Sequence, residues 1–134
     1  MGLDTTHDCW HGAYSAFHRF RHGIARAIGL DLASMQGFSE STVTGQGRAG
    51  IAWSLLKPDP IHILLNHSDC EGEIAVPNLL PLAARLEELI PALAAIDGVE
   101  PGVGHLSSGL ASAAKRFADG LRRAAAAGEA VEFR

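Results

Sequence analysis

The sequence lacks any run of about 18 apolar residues, so it offers no helix of the kind that crosses a bilayer, and no membrane role is expected. Its opening, Met1-Gly2-Leu3-Asp4, has neither a basic n-region nor an apolar h-region, so no secretory signal is expected. Cysteine is scarce. Two thiols, Cys9 and Cys70, in a chain without a secretion signal point to a reducing compartment and a cytoplasmic protein, with a Cys9–Cys70 disulfide the less favoured use. Positive charge is in deficit: a net charge of -4 gives general nucleic-acid binding no support. The common catalytic signatures are also missing. There is no Gly-x-Ser-x-Gly elbow, no Walker A loop and no His-Glu-x-x-His pair. Thr44 to Gly50 does contain Gly-x-Gly-x-x-Gly, but no convincing strand precedes it and no long helix follows, so a surface loop is the better reading.

What is present reads as one compact domain over residues 1–134. A hydrophobic fraction of 47% against 19% charged residues is enough apolar material for a core. Residues 1–12 read as an extended or looped arm. A helix follows from Ala13 to Ile28, because Tyr14, Phe17, Phe20, Ile24 and Ile28 recur at spacings of three and four, with Gly29 placed to end it. Residues 37–50, rich in Gly, Ser and Thr, read as a flexible loop, and Gly50 to Leu56 as a short strand. Asp59-Pro60 is a cap followed by proline at the first helical position, opening a short helix that ends near Asn66. A longer helix is expected from Asn78 to Leu93, kinked or ended by Pro91. A last helix runs from Ser107 or Ser108 to Ala127, and an alternating tail, Ala130 to Phe133, adds a strand or docks. The fold class is therefore α+β, mainly α-helical, with about four helices and a few short strands.

Two stretches carry most of the chemistry. Asn66 to Ile74 packs an imidazole, a thiol, three carboxylates, an amide and a hydroxyl between apolar segments. His7-Asp8-Cys9-Trp10-His11 is a second such cluster in the arm. Three functional readings compete with a purely structural one. In the first, His67 to Ile74 imitates the start of an EF-hand loop. Asp69 and Glu71 would be Ca²⁺ ligands, Gly72 the turn and the Glu73 carbonyl a further ligand, but His67 and Asn78 stand where carboxylates belong. In the second, Cys9, His11, His67 and Cys70 form a Cys₂His₂ zinc set, with Glu71 or Glu73 as base if the metal keeps an open position. In the third, Asp8, His11, Tyr14, Asn66, His67, Asp69 and Glu71 line one polar pocket. Trp10 or Tyr14 would stack on a ring, and arginines of the first helix would meet phosphate. Two basic clusters stand outside these stretches: His18, Arg19, Arg21, His22 and Arg26 early, and Lys115, Arg116, Arg122 and Arg123 late. Each can meet an anion or form the wet face of a helix, and the wet face is the expectation.

The segments Gly2-Leu3-Asp4, His7 to Phe17, Leu56-Lys57-Pro58-Asp59-Pro60 and His67-Ser68-Asp69-Cys70-Glu71-Gly72-Glu73-Ile74, with Arg116-Phe117 and Glu132-Phe133, resemble small uncharacterised proteins encoded by bacteria and their phages. The resemblance spans most of the chain and carries no established activity. It implies an intracellular accessory protein, and small phage proteins of this size often block host defences, some by sequestering nucleotide signals. The favoured expectation is a binder of a polar, nucleotide-like small molecule without turnover. A zinc-dependent hydrolase acting on a nucleotide-like substrate is the alternative, and a protein–protein inhibitor a further one; self-association as a homo-oligomer is left open.

Overall fold

Phe17, Phe20 and Ile24 are fully buried, and the stripe they form is the core-facing side of helix α1 (Tyr14–Ala27). The helix ends at Gly29, whose φ of 73° only glycine adopts without strain. There the Leu30 N–H reaches the Ala25 carbonyl at 2.8 Å and the Gly29 N–H the Arg26 carbonyl at 3.1 Å. The computed structural model describes residues 2–32, 35, 53–67, 71–99 and 109–134. Among these, α1 is followed by a short helix α2 (His62–Leu65), a long helix α3 (Val76–Val99) and helix α4 (Gly109–Ala127). Strands β1 (Gly2–Asp4) and β2 (His11–Ala13) form one antiparallel pair, and β3 (Glu73–Ile74) and β4 (Val131–Glu132) another. The fold is mainly helical α+β, as the periodicity implies. The loop expected over residues 37–50, and its glycine motif, lie outside the described residues.

One apolar core joins all four helices. Trp10 stacks on Phe20 at 5.3 Å and meets Phe17 edge-on at 5.2 Å. Phe20 approaches Phe117 of α4 at 6.0 Å, and Phe17 meets Phe133 of the tail at 5.9 Å. Helices α3 and α4 make the most extensive pairing among the described elements. It is fastened on the outside by an Arg122–Glu87 ion pair whose Nε–Oε2 distance is 3.0 Å.

Three local expectations change. Pro91 does not end α3, which runs on to Val99. A proline within a helix costs about 3 kcal/mol. Leu86, Leu89 and Leu93 are buried on both sides of it, at about 1.5–3 kcal/mol each, so burial wins. Pro91 itself is exposed, which puts the interrupted hydrogen bond on the solvent side. Trp53–Leu55 is a 3-10 turn rather than part of a strand; residues 50–52 lie outside the described residues. The N-terminal arm is a hairpin, with Leu3 opposite Gly12 and a 3-10 turn, Thr6–Asp8, at its end.

That hairpin explains Gly120. A Cβ there would fall 2.5 Å from Cys9 Sγ, 2.8 Å from Cys9 Cα and 3.0 Å from Cys9 N. Two of these are backbone atoms that cannot swing aside. In Gly120→Ala the gain in helix propensity is about 1 kcal/mol, against an overpacking cost of about 1–3 kcal/mol. The substitution should lower the urea midpoint, whereas Ala126→Gly on the exposed face of α4 should lower it through helix propensity alone.

Helix α2 begins at His62 with Ile61 at its cap position, two residues later than Asp59-Pro60 implies, and Asp59 instead ties down the turn that leads into it. The Asp59 Oδ1 accepts the Ile61 N–H at 3.0 Å, and both carboxylate oxygens accept Arg85 Nε at 3.1 Å. Burial alone would raise the Asp59 carboxyl, but these hydrogen bonds and the Arg85 charge outweigh it and hold the group below its ordinary value of 3.8. A depressed folded value means that the stabilisation is complete above the unfolded pKa and is lost as pH falls through the folded one. Asp59→Asn should therefore cost about 1 kcal/mol at neutral pH. In denaturation curves taken from pH 7 downwards, the gap to the parent should close below about pH 4.

Candidate functional site

The polar stretch is positioned from α1. Arg21, only 3% exposed, sends its guanidinium to the Leu65 carbonyl at 3.3 Å and to the His67 carbonyl, and lies over the Phe17 ring at 4.9 Å. It thereby takes up carbonyls that the end of α2 leaves without helical partners. The His67 ring rests on Phe133, 4.1 Å between centroids, and its Nε2 donates to the Glu73 carbonyl at 3.1 Å. Gly72 turns the chain at φ 94°, and its carbonyl accepts the Phe133 N–H at 2.9 Å. In the EF-hand reading the Glu73 carbonyl is a Ca²⁺ ligand; here it is occupied by His67. Asn66 and Glu71 are exposed on this turn, while Ser68, Asp69 and Cys70 lie outside the described residues.

The arm spends its polar groups on the rest of the fold. Asp8 pairs with Arg116 at 2.7 Å, and that hydrogen bond and charge hold its carboxyl below the usual range. The His7 carbonyl accepts Arg123 Nη2 at 2.8 Å, and His7 Nε2 meets Glu129 at 3.1 Å. His11 lies 3.5 Å from Asp4 on the exposed edge of the hairpin, and Tyr14 is half-buried against the core. Cys9 is a free thiol, fully buried, and burial pushes its pKa up to about 12, which opposes the thiolate that zinc requires. Trp10 is committed to the aromatic core rather than held out to stack on a ligand. The tail joins arm and turn: Arg134 exchanges backbone hydrogen bonds with Asp4, the Glu132 N–H donates to Thr6 Oγ1, and β4 pairs with β3. Among the described residues no group of three His, Cys, Asp or Glu side chains is arranged to hold a metal ion.

A concavity lies along the side of α1 away from the core. A cavity of about 750 Å³ is walled by α1, by Gly29 to Leu32, by Ile96 and Asp97 near the end of α3, and by Gly109 and Leu110 at the start of α4. Its α1 wall is Ser15, His18, Arg19, His22, Gly23 and Arg26. The Asp97 carboxylate faces the start of α4 and accepts the Leu110 N–H at 2.8 Å and the Ala111 N–H at 3.0 Å, so its charge is engaged by a helix N-terminus. His18 and His22 meet through their Nε2 atoms at 2.9 Å. Burial first, then the neighbouring His18, hold His22 below its ordinary value, with Asp31 acting the other way.

In the sequence these cavity residues form a basic cluster for which a wet helix face is the expectation, with phosphate contact by its arginines part of the pocket reading. The signal was available. Ser15, His18, Arg19, His22 and Arg26 repeat at the same three- and four-residue spacing as the apolar stripe, on the other side of the helix. What the sequence could not show is that the ends of α3 and α4 roof that stripe. The late basic cluster is consumed within the fold: Lys115 on Asp119, Arg116 on Asp8, Arg122 on Glu87 and Arg123 on the His7 carbonyl.

No protein-family model, curated protein or solved structure matches this chain.

Arg21→Met keeps the apolar bulk but strands two carbonyls. It should cost roughly 2–3 kcal/mol in urea denaturation. It should also speed amide exchange at His67 and Gly72 more than at Leu121, which sits in the core of α4.

Proposed function

We propose that the protein binds a small anionic molecule of nucleotide-like character in the cavity between α1, α3 and α4, as a binder rather than an enzyme. The observation that carries this reading is the make-up of the cavity. Arg19, Arg26, His18 and His22 stand on one wall, and Leu30, Leu32, Ile96 and Leu110 supply apolar surface. Its volume of about 750 Å³ suits a ligand of that size, since small-molecule sites span roughly 300–1,000 Å³. The guanidinium groups are matched to phosphate oxygens, which they can bind through two parallel hydrogen bonds, and the apolar surface suits the face of a base. Of the two carboxylates on the lining, Asp97 is engaged by the start of α4, while Asp31 shares the cavity with the arginines. In an intracellular protein of bacterial or phage origin, such a site would serve to sequester a nucleotide signal and so blunt a host defence.

The test is uptake from a nucleotide panel by the purified chain, followed by heat denaturation and chromatography of what is released. Intact release of a bound nucleotide is the expected result; altered products would indicate a hydrolase, and no uptake would sink the reading. The doubly substituted Arg19→Glu, Arg26→Glu chain changes two exposed positions. It should fold normally and lose at least about tenfold in affinity, with the parent weakening as salt is raised. Asp69→Ala should bind like the parent; loss of binding there with the arginine variant intact would move the site to the polar turn.

A further inference from the structure

His18 and His22 stand one turn apart on α1, both on the cavity wall, and their side chains converge tip to tip. The Nε2 atoms are 2.9 Å apart, the ring centroids 4.3 Å, and the planes cross at 68°. We infer that these two imidazoles form a bidentate site for one divalent transition-metal ion of the zinc class. Histidines at i and i+4 on one helix face are the spacing at which two imidazoles reach a common ion. The geometry is already close. Zinc–nitrogen bonds of about 2.0–2.1 Å at a tetrahedral angle place the two nitrogens roughly 3.3 Å apart. The rings therefore need to part by only a few tenths of an ångström, within the freedom of side chains that are exposed at His18 and half-buried at His22.

The proton balance is simple. In the observed contact one ring must donate its Nε2 proton to the other. For both Nε2 atoms to bind the ion, each neutral ring keeps its single proton on Nδ1, so the donor ring changes tautomer and no proton need leave the pair. Imidazole is a favoured ligand of zinc, copper and nickel, which sets the class of ion. No third His, Cys, Asp or Glu completes a set among the described residues, so water takes the remaining positions, or the oxygens of a ligand in the cavity. The charged groups nearby act in both directions. Arg19 and Arg21 oppose a dication, Asp31 favours it, and water in the open cavity screens all three. The site is distinct from the Cys9, His11, His67 and Cys70 set, and it does not depend on the anion reading: the ion is probed alone.

Zinc chloride titrated into the full chain by calorimetry, with no nucleotide present, tests the inference. The expected result is one ion per chain and a rise in thermal midpoint with zinc. His18→Ala and His22→Ala should each lower the affinity at least about tenfold, since the loss of a mere supporting residue already costs 10–100-fold at metal sites. His11→Ala, on the hairpin edge, should leave it unchanged. Circular dichroism of the two variants without metal should match the parent, because neither side chain belongs to the core. Zinc binding that survives the His18→Ala, His22→Ala double substitution, or no binding by the parent, overturns the inference. Nucleotide uptake without zinc binding would leave the anion reading standing and remove this one; zinc binding without nucleotide uptake would do the reverse.

Discussion

The guanidinium of Arg21 is the charge that the rest of the molecule is arranged to satisfy. A buried ion is costly unless hydrogen bonds replace its water. Here the replacement comes from the carbonyls of Leu65 and His67 and from the face of Phe17. A helix of four residues such as α2 has little stability of its own. It is held at its start by Asp59 and Arg85 and at its end by Arg21. With the end of α2 fixed, His67 is delivered onto Phe133, and the turn at Gly72 is placed to pair with the tail.

From there the dependence runs through the chain's C-terminal residues. Val131 pairs with Ile74, the Phe133 N–H reaches the Gly72 carbonyl, and Arg134 closes on Asp4 of the hairpin. Very short strands contribute few hydrogen bonds, so neither two-stranded pair would be stable alone. Their persistence follows from the aromatic contacts beneath them, where Trp10, Phe17, Phe20 and Phe133 interlock. The polar clusters that stand out in the sequence thus lie on either side of a tail that bonds to both.

How far the sequence is legible follows from which interactions are local. The stripe of α1 and the Gly29 terminus are legible, because each is decided within one or two turns. Pro91 does not end α3, because the local rule is overridden by leucines that meet their partners only in the folded chain. Cys9 and Trp10 looked like chemistry because cysteine and tryptophan beside histidine suggest a site; Gly120 and Phe20, far away in sequence, make them core. The basic residues of α4 and α1 are alike in composition, and nothing local distinguishes them. Only the fold shows Arg116 meeting Asp8 and Arg122 meeting Glu87, while Arg19 and Arg26 border a cavity.

That contrast also bears on the proposed site on the α1 wall. A binding group is effective only if its scaffold holds it in place, and sites on helices are held more firmly than sites on loops. Helix α1 has one side locked by Phe17, Phe20 and Ile24 and a buried arginine tied to the neighbouring turn. Gly23 brings α4 close, since a Cβ there would fall 2.7 Å from the Leu110 methyl groups. The same helix then offers His18, Arg19, His22 and Arg26 on its other side at fixed spacing. The rigidity that the core imposes on one face of α1 fixes the backbone of the other, so the ordering cost of the proposed site is confined to the rotamers of its exposed side chains.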